Sequence, residues 1–299
     1  MNRIASTLFK SEPFVPLVFT RAMSSKTAHS GHKGIGLAGR FLQGKSALVT
    51  GSTSGIGLGV ARALAAHGAN ITLNGLAKEN EVADLIDTFK RDFNVKVEFD
   101  GADLSKGEEV RALIQRAQKN LGVDILVNNA GIQYISNVQN FPESAWDRII
   151  AINLSAVFHS TKAALPQMLE NKWGRIVNIS SVHGLVASVN KSAYIASKHG
   201  VVGFTKATAL ETAGSGVTVN CVNPGWVLTP LVQAQIDLRA KELGISAEEA
   251  RLSLLSEKQP SKQFVTVDDL GNFICFLSSE YANQMTGSTY VMDGGWTAQ

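Results

Sequence analysis

From about residue 44 the chain alternates between two patterns. Short, mostly apolar runs bounded by Gly, Asn or Ser occur at "SALVT" (46–50), "NITLNG" (70–75), "KVEFD" (96–100), "DILVNNAG" (124–131), "GRIVNISS" (174–181), "TVNCVNPG" (218–225) and "STYVMDGG" (288–295). Their length and boundaries predict strands. Between them apolar positions recur at helical spacing, which predicts helices over 55–68, 79–92, 106–120, 143–170, 192–213 and 266–279. The first ends at a glycine suited to a C-cap, and the long fourth one carries Pro166 near its end.

Strands alternating with helices predict an α/β fold: a single doubly wound, parallel, seven-stranded sheet of the Rossmann type, in the order 3-2-1-4-5-6-7. The apolar strands suit a sheet buried on both faces. No Pro/Ser-rich linker or internal repeat divides residues 41–299, so they read as one domain. Residues 226–265 break the rhythm with the helical pieces "LVQAQIDLRAKELG" and "SAEEARLSLLSEK". An excursion of this length after a strand predicts an active-site lid. A solvent-exposed or subunit-contact excursion is the other option.

Charge is unevenly spread. The chain holds 28 Lys and Arg against 25 Asp and Glu. Arg3, Lys10, Arg21, Lys26, Lys33 and Arg40 face a single acid, Glu12, within residues 1–40, so the rest is slightly acidic. A nucleic-acid-binding body is therefore excluded. The leader is basic, rich in Ser and Thr and poor in acids, the composition of a mitochondrial transit peptide. This predicts a matrix protein, with a cytoplasmic protein bearing a plain tail as the alternative. No apolar run is long enough to span a membrane. Cys221 and Cys275 lack metal-ligand spacing and read as buried thiols; no metal site is expected.

The stretch "TGSTSGIG" (50–57) lies between the first strand and the first helix. There Gly51 permits a tight turn, Gly55 lets backbone approach a pyrophosphate, and Gly57 allows close helix–strand packing. The helix N-terminus offers N–H groups and the positive end of its dipole. A dinucleotide cofactor follows. The end of the second strand has neither the Arg expected for a 2′-phosphate nor the acid expected for a free ribose, and Ser54 is not basic. The cofactor reads as NAD, with Asn74 or a backbone group meeting the ribose; the nearest cation, Lys78, lies several residues on.

Seven motifs in order carry a family resemblance: "TGSTSGIG", Asp103 after the third strand, "NNAG" (128–131), Asn153, Ser181, "YIASK" (194–198) and "NPGWVLT" (223–229). Over 44–299 the chain resembles the short-chain dehydrogenases/reductases. The resemblance implies cofactor contacts from Gly51, Thr53, Ser54, Gly55, Ile56, Gly57, Asn74, Asp103, Leu104, Asn129, Ala130, Gly131, Tyr194, Lys198, Pro224, Gly225, Val227 and Thr229. It implies catalysis by Asn153, Ser181, Tyr194 and Lys198. Tyr194 and Lys198 are four apart on a helix and share a face, so an ammonium there should stabilise phenolate and lower the tyrosine pKa. By resemblance Lys198 also binds the nicotinamide ribose, Ser181 holds the reacting oxygen, and Asn153 completes a proton relay.

Further stretches resemble the soluble, bacterial-type branch of the family that oxidises (R)-3-hydroxybutyrate. They are "NLSAVFHSTKAALPQM" (153–168), "HGLVASVNKSAYIASKHGVVGFTKATALETAG" (183–214), "NPGWVLTPLVQAQI" (223–236), "LLSEKQPSKQFVT" (254–266) and "DGGW" (293–296). That likeness implies a small anionic hydroxy acid as substrate. Gln133, His183, Lys191 and Gln235 would hold its carboxylate beside Ser181 and Tyr194, with Lys191 one helical turn before Tyr194. Trp226 and Trp296 would meet its apolar end, with the C-terminal tail reaching into or over a neighbouring active site. It also implies a homotetramer. A 3-oxoacyl carrier-protein reductase shares the general motifs but wants NADPH and a basic docking surface. A non-catalytic NAD-sensing protein would break the Tyr/Lys pair, which is intact.

Overall fold

A computed structural model describes residues 39–299 apart from Lys78. The leader read as a targeting segment lies outside the described residues, save its last two. Seven parallel strands form one sheet: β1 (Ser46–Val49), β2 (Asn70–Asn74), β3 (Val97–Asp100), β4 (Ile125–Asn128), β5 (Gly174–Ile179), β6 (Val217–Pro224) and β7 (Thr289–Met292). Their order is β3-β2-β1-β4-β5-β6-β7, as the alternating pattern predicts. In the centre Leu48 pairs with Thr72 on one side and Leu126 on the other. Because every strand runs the same way, the carboxyl ends share one edge, the edge where such sheets build their sites.

Alternation along the strands feeds both faces. Val49, Ile71 and Val127 pack against α1 (Gly55–Ala66) and α9 (Val267–Leu277). Leu48, Leu126 and Ile176 pack against α3 (Gly107–Asn120) and α5 (Ala156–Glu170). The remaining helices are α2 (Glu79–Phe93), α4 (Glu143–Ile150), α6 (Ser192–Thr212), α7 (Pro230–Leu243) and α8 (Ala247–Ser256). Cys221 and Cys275 are free and buried, and burial pushes their thiols up to about 11 and about 12. Neither is a ready nucleophile at neutral pH.

One predicted helix is corrected. The run 143–170 is interrupted by a π-helical turn at Ala151–Ser155, which separates α4 from α5. The interruption sits well before Pro166 and is centred on Asn153, whose side chain is anchored outside the helix. A single wide turn of this kind re-aims one side chain without breaking the helix axis.

The excursion after β6 contains α7 and α8, which share the apolar contacts of Val232, Ile236, Ala250 and Leu254. The Thr229 side chain caps α7, Gly244 ends it in the left-handed region (φ 65°), and a Ser246–Glu249 capping box starts α8. The two ends of the excursion meet. Val265 N donates to Trp226 O at 2.9 Å, and Val227 bridges Val265.

Helices α1 and α9 approach closely through two glycines. A Cβ on Gly59 would lie 2.7 Å from the Val267 Cβ, and one on Gly271 would lie 2.7 Å from the Ala63 Cβ. Gly271→Val should therefore lower stability by about 2–3 kcal/mol, through overpacking that forces the helices apart. Gly203→Ala, facing open space on α6, should instead raise stability by up to about 1 kcal/mol. Denaturant unfolding midpoints of the two variants check both signs.

Candidate active site

The loop after β1 turns back at Gly51, whose φ of +62° suits glycine, and enters α1 through Gly55 at φ +55°. Gly57 is required by contact: an added Cβ would lie 2.3 Å from Gly51 O and 2.5 Å from Asn129 Nδ2. Ser54 is the N-cap of α1 but makes no side-chain cap bond, and the first turn carries no acid. The leading N–H groups of this helix have no side-chain acceptor at the cap and the dipole is uncompensated, which suits a phosphate. Thr50 Oγ1 accepts from Asn129 N (2.9 Å) and Ala130 N (3.1 Å), locking the loop after β4 to the loop after β1.

This loop opens onto a cleft of about 510 Å3 at the carboxyl edge of the sheet. Thr53, Ser54, Ile56, Asp103, Leu104, Asn129, Ala130 and Gly131 line it toward β1–β4. Pro224, Gly225, Val227 and Thr229 line it from β6. Gln133, Ser181, His183, Lys191, Tyr194, Trp226, Gln235 and Trp296 close the other end. Of the site residues expected from sequence, Gly57 and Asn153 stand behind the wall. The cleft also uses Gly75, Ile132, Ile152, Ile179, Ser180 and Val232, which no motif marks.

Asn74 differs from its expected role. Its Oδ1 accepts from Gly51 N at 3.3 Å, and its Nδ2 donates to Asp100 O (3.0 Å) and Ala102 O (3.2 Å). With both N–H groups committed, Asn74 braces the phosphate loop from below and offers a ribose no donor. Asp103 turns its carboxylate onto Ser105 N and Oγ (2.9 and 2.8 Å), and these bonds hold it below the usual carboxylate range.

The reacting end is built on α6. Tyr194 and Lys198 lie one turn apart, with Lys198 Nζ 5.6 Å from the Tyr194 ring centre. Lys198 is only 3% exposed, and its Nζ donates to Ile179 O at 2.8 Å. Burial lowers it from 10.5 to about 8. The expected depression of the Tyr194 phenol is not found: burial raises it above 10.0, offset in part by the Ser181 hydroxyl. The reason is desolvation. Both groups are enclosed, the ammonium is turned to a carbonyl, and the neutral forms gain. Ser180 Oγ, just past β5, donates to Lys198 O (3.0 Å) and fixes the helix against the strand end, while within α6 Ser197 Oγ donates to Tyr194 O (2.7 Å).

Asn153 is a clamp. Its Oδ1 accepts from Ile132 N and its Nδ2 donates to Ile132 O, both at 2.9 Å, with Ser197 Oγ at 3.2 Å. The amide is spent on the loop that carries Gly131 and Gln133, so it stands as a brace behind the cleft rather than as an open relay donor.

A model of the short chain dehydrogenase family matches residues 45–239. The chain belongs to that family. Two relatives are D-beta-hydroxybutyrate dehydrogenases. That of Cupriavidus necator is 56% identical over 260 residues, covering 87% of this chain and 100% of its own. That of Rhizobium meliloti is 48% identical over 256 residues, covering 85% and 99%. Among solved structures, L-sorbose reductase from Gluconobacter frateurii, complexed with NADPH and L-sorbose, superposes with a TM-score of 0.82. It is 30% identical and covers 86% of this chain and 98% of its own. A nicotinamide dinucleotide is the cofactor type of the fold, and the open helix end with its glycine turn fits one.

Within this short-chain dehydrogenase the substrate end is aromatic. Ring centres are 6.0 Å apart for His183–Tyr194, 5.4 Å for His183–Trp296 and 6.0 Å for Trp226–Trp296. Trp296 lines the cleft of its own chain, because Asp293 accepts from Gly295 N (2.9 Å), Thr297 N (2.7 Å) and Thr297 Oγ1 (2.8 Å) and folds the tail inward. Lys191 is the N-cap before α6, where the predicted helix start at residue 192 leaves it, and is held by a bridge to Ser136. His183 Nε2 lies 2.9 Å from Ser188 Oγ, a partner no motif signals.

Burial and the Lys191 charge push His183 down to about 4. Above 6.5 its ring is neutral in folded and unfolded chains alike. Between 6.5 and about 4 the unfolded chain binds a proton that the folded chain refuses, so stability falls as pH falls. Relative to wild type, His183→Asn should show a shallower loss of unfolding free energy across that window, read by denaturant titration at a series of pH values.

Proposed function

We propose that the protein catalyses the reversible, NAD-dependent oxidation of (R)-3-hydroxybutyrate to acetoacetate. The observation that carries this is Lys191. Its ammonium lines the cleft beside Tyr194, lies 5.6 Å from the Trp226 ring centre, and has no carboxylate partner among the described residues. A half-buried cation with no carboxylate partner among the described residues favours an anionic ligand. Gln133, Gln235 and neutral His183 supply further hydrogen-bonding groups, and Trp226 and Trp296 bound a short apolar end. The names of the two bacterial relatives support the same substrate.

A bound nicotinamide dinucleotide supplies the hydride acceptor. The chain itself handles the proton and the anion. Tyr194 Oη exchanges the proton of the reacting oxygen, Ser181 Oγ steadies that oxygen, and Lys198 biases the phenol. NAD is favoured over NADP by the end of β2. It brings Asn74, Gly75 and Leu76 to the cleft, whereas among the described residues the lining cations are Lys191 and Lys198, both at the substrate end. The α7–α8 excursion, carrying Gln235, serves as a lid pinned at the Trp226–Val265 neck. A homotetramer and a mitochondrial matrix address rest on the family resemblance and the leader composition alone; the two relatives are bacterial and add nothing to the address.

Initial rates with each enantiomer of 3-hydroxybutyrate and with NAD+ and NADP+ test the assignment. Turnover of the (S) form alone, or with NADP+ alone, contradicts it. Tyr194→Phe should lower kcat by about 100- to 10,000-fold. Lys191→Met should raise the hydroxy-acid KM by about tenfold or more at unchanged cofactor KM.

The raised tyrosine sets a pH asymmetry. The phenolate fraction grows throughout neutral and mildly alkaline pH, so oxidation should accelerate as pH rises. Acetoacetate reduction, which uses the protonated phenol, should stay nearly flat. Paired pH–rate profiles read this directly.

A further inference from the structure

The stretch "LLSEKQPSKQFVT" has no part in the chemistry above, yet it contains a buried side chain at the junction of three segments. Gln259 is 1% exposed. Its Oε1 accepts from Trp226 N at 2.9 Å, and its Nε2 donates to Gln263 O. Two glycines make room for it: a Cβ on Gly225 would lie 2.6 Å from Gln259 Oε1, and one on Gly294 would lie 2.8 Å from Gln259 Cγ. The C-terminal turn is tied to the same spot by Ser261 N donating to Gly294 O at 3.0 Å, and to β6 by Gly225 N donating to Met292 O at 2.9 Å.

The two cleft tryptophans leave from either side of this junction. Trp226 follows Gly225, and Trp296 follows Gly294 and Gly295. Among the described residues the buried Trp226 Nε1 has no hydrogen-bond partner to fix its ring. Its position depends on its backbone and on packing against Trp296 and the Val232, Ile236, Ala250 and Leu254 cluster. Any shift at Gln259 is therefore passed to both walls at once.

We infer that Gln259 is a positioning residue that fixes the separation of Trp226 and Trp296 and so sets how long a hydroxy acid the cleft accepts. The inference rests on the function proposed above. Gln259 touches neither substrate nor reacting atoms; it acts through the two indoles. Its amide suits the task because one buried side chain must accept from one backbone and donate to another. Gln263 O sits at the exit of the excursion, so the same side chain closes the lid neck, while the tail packs on it at Gly294.

The test compares kcat/KM for 3-hydroxybutyrate, 3-hydroxyvalerate and 3-hydroxyhexanoate in wild type, Gln259→Met and Gln259→Glu. A tight apolar end discriminates by about tenfold or more for each added methylene. Gln259→Met keeps the bulk and loses both bonds; its preference for the shortest acid should shrink to about threefold or less, with cofactor KM unchanged. Gln259→Glu keeps the acceptor for Trp226 N and should retain more of the preference than Gln259→Met, which a general loss of packing would not produce. An unchanged preference in a soluble Gln259→Met, or an equal loss on all three acids, overturns the inference. If Gln259→Met does not fold, a wild-type preference in Gln259→Glu matched by one in Ser261→Pro, which removes the N–H given to Gly294 O, overturns it as well. Absence of turnover of any 3-hydroxy acid by wild type sinks the functional assignment instead, so the two failures are distinct.

Discussion

A lysine ammonium enclosed at the carboxyl edge of the sheet is the constraint from which the active site is organised. Lys198 is almost without solvent and rests on the Ile179 carbonyl. Keeping it there costs desolvation energy, visible as its fall to about 8. The surrounding structure holds it in place: Ser180 anchors its backbone, Ser197 bonds Tyr194 O, and Asn153 reaches from a π-helical turn to pin the facing loop. Burial also raises the phenol one turn before it, with the Ser181 hydroxyl acting against that rise.

The same burial acts on every ionisable group at this end of the cleft. Lys191 and His183 are pushed down and Tyr194 is pushed up. Neutral forms are favoured throughout, so the cleft is prepared for a ligand that brings its own negative charge. In a dry site the pairing of that charge with Lys191 is stronger than it would be in water. Anion recognition and proton transfer thus draw on one physical cause, the exclusion of solvent by His183, Trp226 and Trp296.

Much of this was legible in the residue pattern. Strand and helix alternation foretold the sheet order, since short parallel strands joined by helices leave few topologies. The glycine turn and the Tyr194–Lys198 spacing pointed to a cleft that the fold assembles. What escaped the pattern has two causes. Side chains whose work is to bond backbone, such as Thr50, Asn74, Ser188 and Gln259, look like any buried or loop amide or hydroxyl until their partners are known. Desolvation, moreover, is a property of the folded surroundings: the Tyr194–Lys198 pair suggested a lowered phenol, and only the burial of both reverses the sign.

The glycine contact between α1 and α9 has a consequence for how the protein is made. It joins residues 59 and 271, and 63 and 271, across most of the domain. A contact of such sequence separation forms late, after the closure entropy of the intervening chain has been overcome. The nucleotide turn is synthesised early, yet the helix that backs it gains its permanent neighbour only when nearly the whole polypeptide has emerged. Nascent chains should therefore be unable to capture dinucleotide until translation is almost finished.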